Sequence, residues 1–238
     1  MSLQVIWHDL ECGGYAQDLP LWRELAQDTG GPVLDVGAGA GRVALDLARR
    51  GHQVVALDRD EELLAALRER ADGAPVETIA ADAREFAIGR RFPLVLVPMQ
   101  TLQLLGGAEG RRRFLARARE HLEPGGLLAA ALADALEGFD EDHPAPPLPD
   151  LREVGGVVYA SRPVAVRDEG EQVAIERLRE IVTPDGGRSE EGDIVRLDRV
   201  DAATVAEEAR AFGLEPLAPR AIAATEVYVG SAVVMLRG

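Results

Sequence analysis

Apolar and polar positions along the chain fall into two regimes. From 32 to 133, short runs of consecutive apolar residues alternate with stretches of helical spacing. "PVLDVG" reads as a strand, and "GRVALDLARRG" as a helix with a glycine stop. "HQVVALD" is strand, and "DEELLAALRERADG" is helix, opening on Asp60 with acids in its first turn. "PVETIAAD" and "FPLVLVPM" are further strands; "AEGRRRFLARAREHLEPGG" is a helix ended by Pro-Gly-Gly, and "LLAAALAD" is the strand after it. Continuously apolar strands alternating with helices predict a doubly wound, mostly parallel sheet covered on both faces, with right-handed crossovers. Ahead of it, residues 1–31 read as a helical leader in which Leu21, Trp22 and Leu25 share a face and Gly30-Gly31 end the helix. Behind it, "EDHPAPPLPD" is a proline-rich connector, and 151–200 shows short strands with turn signals, a small antiparallel insert. "DAATVAEEARAFG" returns to helix between Asp201 and Gly213, and two last strands are expected around 214–222 and 227–236.

Composition narrows the class. A chain of 238 residues, 47% hydrophobic, suits one α/β domain with an insertion. Its apolar runs, such as "LLAAALA", are far short of the roughly 20 residues of a membrane helix. "MSLQVIWHDLECGG" has no basic start followed by an apolar run, so no signal peptide is expected and the cytoplasm is the expected location. Cys12 is the single cysteine, which rules out an internal disulfide; His8, His52, His121 and His143 have no ligand spacing, so no metal site is expected. The net charge of −15 argues against DNA, whose partners present a basic face. There is no lysine and no asparagine.

The stretch "VLDVGAGAGR", 33–42, places glycine at 37, 39 and 41 where a strand runs into a helix. Such a turn lets a ligand lie against bare backbone at a helix N-terminus. A phosphate-binding P-loop requires a lysine, which the chain lacks. A dinucleotide fingerprint starting at Gly37 needs its third glycine where Arg42 stands.

The stretch resembles motif I of the class I S-adenosylmethionine-dependent methyltransferases, an acid followed by GxGxG. Asp58 ending the second strand, "AADAR" after the third, "FPLVLVPMQTLQLL" and "LEPGGLLA" follow in the family's order, over about residues 15–133 and again in the last two strands. The resemblance implies a Rossmann-like α/β fold, a seven-stranded sheet whose last strand is antiparallel, with the β insert after strand 5. It also implies S-adenosylmethionine as cofactor and S-adenosylhomocysteine as product. Asp58 would accept from both ribose hydroxyls; Asp82 and Ala83 would meet the adenine, with Arg59 over it. Gly37, Ala38, Gly39 and Gly41 would line the ribose and methionine parts. Asp35 would hold the loop or reach the methionine ammonium through water. Tyr15 in "GGYAQDLPLW" would close over the cofactor, and Met99 and Gln100 would face its methionine end.

The sequence departs from relatives at the fourth strand. Pro93 opens it, Gln100 leaves it, and Leu104 stands where relatives frequently have a histidine; the [ND]PPY signature of nucleobase amino methylation is absent. No general base is evident. His143, Tyr159, Tyr228 and Glu226 are the candidates for catalysis or contact with the acceptor.

The expected organisation is a leader at 1–31 over the cofactor site, a core at 32–140 and 201–238, and a β-rich insert at 141–200 that covers the acceptor or makes a dimer contact. The expected function is methyl transfer to an O or N atom of a small molecule, with a homodimer as an option. The alternatives are a cofactor-binding module without turnover and a methyltransferase acting on protein or RNA. A nicotinamide oxidoreductase ranks behind these.

Overall fold

The apolar tetrad at 33–36 becomes β1 (Val33–Val36), buried throughout and paired in parallel on both sides. The structure is a computed structural model that describes residues 1–133, 138–139, 148–225 and 228–238. Along the chain, α1 (Leu3–Cys12) and α2 (Leu19–Thr29) precede β1. There follow α3 (Arg42–Ala48), β2 (Val54–Asp58), α4 (Glu61–Ala71), β3 (Val76–Ala80), β4 (Phe92–Val97), a 3-10 turn at Thr101–Leu104, α5 (Gly107–His121) and β5 (Leu122–Leu132). Next come β6 (Asp150–Val154), β7 (Val157–Asp168), β8 (Gln172–Val182) and β9 (Arg188–Asp198). The chain ends with α6 (Ala202–Arg210), β10 (Glu215–Pro216), β11 (Arg220–Ile222) and β12 (Ser231–Arg237). Two units result: Met1–Gly14 with Leu136–Arg199, and Tyr15–Ala135 with Val200–Gly238.

The larger unit is built on a sheet of order β3-β2-β1-β4-β5-β12, parallel up to β5 and antiparallel at β12. This is the doubly wound sheet with an antiparallel last strand that the hydrophobic pattern and the resemblance predict. Side chains alternate between the faces. Val33, Val54, Leu94 and Leu96 pack with Trp22 and Leu25 of α2, Val43 and Leu47 of α3 and Leu67 of α4. Leu34, Val36, Val55, Leu57, Val95 and Val97 pack with Phe114 and Leu115 of α5 and Val205 and Ala209 of α6. Both faces are dry, which is why these strands carry no polar alternation. Asp60 and Asp201 cap their helices as expected, accepting from Glu62 and Leu63 and from Thr204.

One strand differs from expectation. The segment read as a single strand over 214–222 is broken into β10 and β11, both paired to β12 on the edge that β5 leaves open. Pro219 lies in the break and has no N–H to give the ladder. Among the described residues the sheet therefore has eight strands, two of them short and sharing one edge.

The smaller unit is an antiparallel meander, β6-β7-β8-β9, with α1 packed on β6 and β7. Trp7 meets Tyr159 edge-on at 5.5 Å. Arg179 donates to both oxygens of Glu11 at 2.8 Å, and the Ser161 hydroxyl donates to Glu11 at 2.7 Å. Burial pushes the Glu11 carboxyl up, but these bonds outweigh it and leave it below its ordinary value. The stretch at 1–31 is thus two helices, α1 grouped with the β-rich residues and α2 with the larger sheet. No helix among the described residues is long and apolar enough to cross a membrane.

Candidate functional site

In the larger unit the chain passes from β1 to β2 and β3 on one side, then returns to β4 and β5 on the other. A ligand crevice in such a sheet opens at the carboxyl ends of the strands where this reversal occurs, here β1 and β4. The wall after β1 is glycine-dependent. Gly37 follows β1 at φ +74°, and a Cβ there would stand 2.5 Å from the Thr101 side chain in the turn after β4. The N–H groups of Gly37 and Ala38 donate to the Leu57 carbonyl at 2.8 and 3.0 Å, and the Gly39 N–H donates to Asp58 Oδ2 at 2.8 Å. These donors therefore serve β2. What the turn offers a ligand is space and bare Cα surface. Gly41, at φ +93°, has a packing reason of its own, since a Cβ would meet Leu67 at 2.7 Å.

Asp58 closes β2 facing this turn. Oδ2 accepts from Gly39 and Oδ1 from the Asp60 N–H at 2.9 Å. A carboxylate offers about four acceptor directions, so each oxygen retains one for an incoming hydroxyl. The pair of oxygens matches a vicinal diol.

Asp35 shares the face of Val33 and is fully buried, with neither oxygen hydrogen-bonded. Desolvation pushes its pKa up to about 7; Arg42 opposes that, while Asp58 and Asp18 add to it. An orphaned buried acid beside a glycine turn fits the cationic end of an amino acid.

Sequence reasoning singled out Arg42 only as a misfit for a dinucleotide. In the structure it anchors the residues that begin this unit. Its guanidinium donates to Asp18 through both terminal nitrogens at 2.6 and 2.7 Å and to the Tyr15 carbonyl at 2.9 Å. It also lies 5.2 Å from the Tyr15 ring centre. Asp18 is fully buried and also accepts from Trp22 Nε1 at 2.7 Å. Tyr15 is thereby fixed by a main-chain bond and a cation on its face. Its hydroxyl is buried without a hydrogen bond, and burial, then Asp18, pushes the phenol up. Tyr228, a separate candidate in the sequence, meets Tyr15 edge-on at 5.1 Å.

At the end of β3, Asp82 is engaged. Arg84 donates to it through its main-chain N–H at 2.8 Å and its guanidinium at 2.6 to 3.2 Å. Arg84 holds the Asp82 carboxyl down at about 2. Arg59 is exposed, and its charge is felt at Asp82; Ala83 is half-buried beside the core. At the end of β4, Met99 adopts φ +54°, a left-handed conformation that costs a non-glycine residue about 1–2 kcal/mol. It and Gln100 are half-buried. Strain of this kind persists where surrounding structure imposes it, and here two contacts do. Thr101 Oγ1 donates to the Pro98 carbonyl at 3.0 Å, and the Gln103 amide exchanges two hydrogen bonds with the backbone of Ala133 at 2.9 and 3.0 Å. Gln103 ties the turn after β4 to the end of β5. Nothing in the sequence marked it, because its partner is main chain 30 residues away.

Tyr159 packs on Ile6 and Trp7 inside the smaller unit. His143 and Glu226 lie outside the described residues.

Residues 33–126 match the family described as "Methyltransferase domain". The chain is 32% identical over 126 residues to a ubiquinone biosynthesis O-methyltransferase of Rhizobium rhizogenes, covering 52% of this chain and 48% of that protein. It is 29% identical over 96 residues to a dTDP-3-amino-3,4,6-trideoxy-alpha-D-glucopyranose N,N-dimethyltransferase of Streptomyces venezuelae, covering 40% of each. These matches span about half or less of the length of either relative. The fold is similar over the whole chain to that of SAM-bound CalS10, an amino pentose methyltransferase from Micromonospora echinaspora. That comparison gives a TM-score of 0.75 and 21% identity, with 100% of this chain and 98% of the other covered.

Proposed function

We propose that the chain is a class I S-adenosylmethionine-dependent methyltransferase that transfers a methyl group to an O or N atom of a small molecule, a reading supported by the methyltransferase-domain match over 33–126 and the shared fold. The observation that carries this reading is the Asp58 carboxylate bonded to Gly39 at the turn after β1, with the orphaned acid Asp35 alongside. In this reading Asp58 takes the ribose hydroxyls. Asp82, Ala83 and Arg59 frame the adenine, and Gly37, Ala38 and Gly39 give the sugar and amino-acid parts their room. Asp35 supplies the negative charge that the ammonium of the amino-acid end requires, and Arg42 holds Asp18 and Tyr15 beside it. Tyr15 closes the site, and Met99 and Gln100 border its methionine end.

Bound there, S-adenosylmethionine supplies an electrophilic methyl on a sulfonium. The chain's part is to fix the acceptor in line and keep water out, which is worth up to about 7–11 kcal/mol in the best-oriented cases. An acceptor that arrives as a free amine or an ionised oxygen needs no general base. Tyr228, held against Tyr15, is our candidate for acceptor contact. The negative net charge draws an amine that is cationic in bulk water and gives up that proton to solvent before it attacks, and the Streptomyces relative acts on an amino sugar. Both favour nitrogen over oxygen. The cytoplasmic location, and the role of the β-rich residues in acceptor choice or dimer contact, belong to the same proposal.

The test is incubation with methyl-labelled S-adenosylmethionine and fractionated small metabolites. Label entering a small molecule, with S-adenosylhomocysteine accumulating, supports the proposal. Tight binding of S-adenosylhomocysteine with no label transferred to any fraction, to protein or to RNA would instead favour a binding module.

A further inference from the structure

Three acids converge on the end of β1, and they are not equivalent. Asp18 accepts from Trp22 and from both terminal nitrogens of Arg42. Asp58 accepts from the N–H groups of Gly39 and Asp60. Asp35 is fully buried and has no hydrogen bond at either oxygen. The Ala44 N–H in α3 lends it a weak favourable contact that falls short of a hydrogen bond. Its register partners on the flanking strands are apolar, Ala56 on β2 and Leu96 on β4.

The charged groups facing Asp35 are Arg42 from α3, Asp58 from the end of β2 and Asp18 from the segment before α2. Arg42 is already bonded to Asp18 and Tyr15, so its attraction reaches Asp35 only through space. Two anions and a committed cation leave a third, dry carboxylate without compensation. A ligand that brings a positive charge close to it changes that balance, because the field of that charge favours the carboxylate over the neutral acid.

We propose that binding of the cationic amino-acid end of the nucleoside ligand expels from Asp35 the proton it carries in the ligand-free protein, leaving a carboxylate in the complex. The inference rests on the cofactor reading above and extends it to a proton linkage. The proton passes to the buffer, and no other group need change its charge. Desolvation already holds the ligand-free acid near neutrality, which places the exchange in the accessible pH range.

The experiment is calorimetric titration of the full chain with S-adenosylhomocysteine in buffers of equal pH and different ionisation enthalpy. Linkage predicts that the apparent heat varies with the buffer. The release should be about half a proton near pH 7, approach about one near pH 6 and fade above pH 8. Below pH 7, affinity should fall up to about tenfold per pH unit. Asp35→Asn should bind with a buffer-independent heat. The wild-type buffer series decides the question even if that variant fails to fold. Binding with the same heat in every buffer at pH 6 and 7 overturns the proton linkage and leaves the cofactor reading standing. No binding in any buffer overturns both.

Discussion

The Gly39 N–H donates to Asp58 Oδ2 at 2.8 Å, joining the turn after β1 to the last residue of β2. One carboxylate thus shapes the glycine turn and, in the proposed function, faces the ligand. The turn is held from its other side by Thr101, so the site is set by two strand ends and a side chain, and small changes there should have measurable effects.

Gly37→Ala places a Cβ 2.5 Å from Thr101 on a residue at φ +74°. We expect a loss of about 1–3 kcal/mol of stability in denaturant unfolding, with loss of ligand binding. Gly37→Ala combined with Thr101→Ala should recover part of the stability, because it removes the contact and leaves the backbone strain. No recovery in the double variant would show that Thr101 does not press on the turn.

Asp35→Asn should stabilise the ligand-free protein at high pH. The folded-state pKa of Asp35 is raised to about 7, above an unfolded value near 3.9, so the folded state binds the extra proton between these limits. The destabilising effect of the ionised acid is therefore full above pH 7 and fades as the pH falls toward 4. The variant should exceed wild type by up to about 4 kcal/mol at pH 8 and by much less at pH 5. Equal differences at both pH values would contradict this.

Arg42→Met leaves the buried Asp18 carboxylate with the bond from Trp22 Nε1 and no cation beside it in the cluster. Breaking a buried pair on one side costs about 3–5 kcal/mol. Limited proteolysis should then cut within 15–30 first. Adding Asp18→Asn to Arg42→Met should return much of the loss, and a double variant no better than the single one would show that the ion pair is not the cause.

Gln103→Ala removes both bonds to Ala133 and strands a buried N–H and carbonyl, at about 1–3 kcal/mol. If Gln103 sets the turn that carries Met99 and Gln100, affinity for S-adenosylhomocysteine should fall as well. Lower stability with unchanged affinity would confine the residue to a structural role.

How much of this was legible in the sequence follows from the range of each interaction. The β1–α3–β2 core was readable because continuous apolar runs and glycine stops are local signals. Asp58 was readable because it ends a strand at a fixed place after a glycine turn. Arg42 and Asp18 were not, since their pairing joins residues 24 apart that have no shared periodicity. The division of 1–31 between two units depends on Trp7 finding Tyr159 and Glu11 finding Arg179, contacts that no local pattern announces. The break between β10 and β11 was foreshadowed by Pro219, which was passed over as part of an extended run.

The central claim is that Asp58 and the glycine turn seat an adenosyl group, and comparing S-adenosylhomocysteine binding to wild type and Asp58→Ala tests it most directly. The account predicts one site per chain in the wild type and an affinity weaker by about 1–3 kcal/mol in the variant, with the fold intact by circular dichroism. Equal affinity in the two proteins, or a wild type that binds a nicotinamide dinucleotide and not the adenosyl ligand, would contradict it.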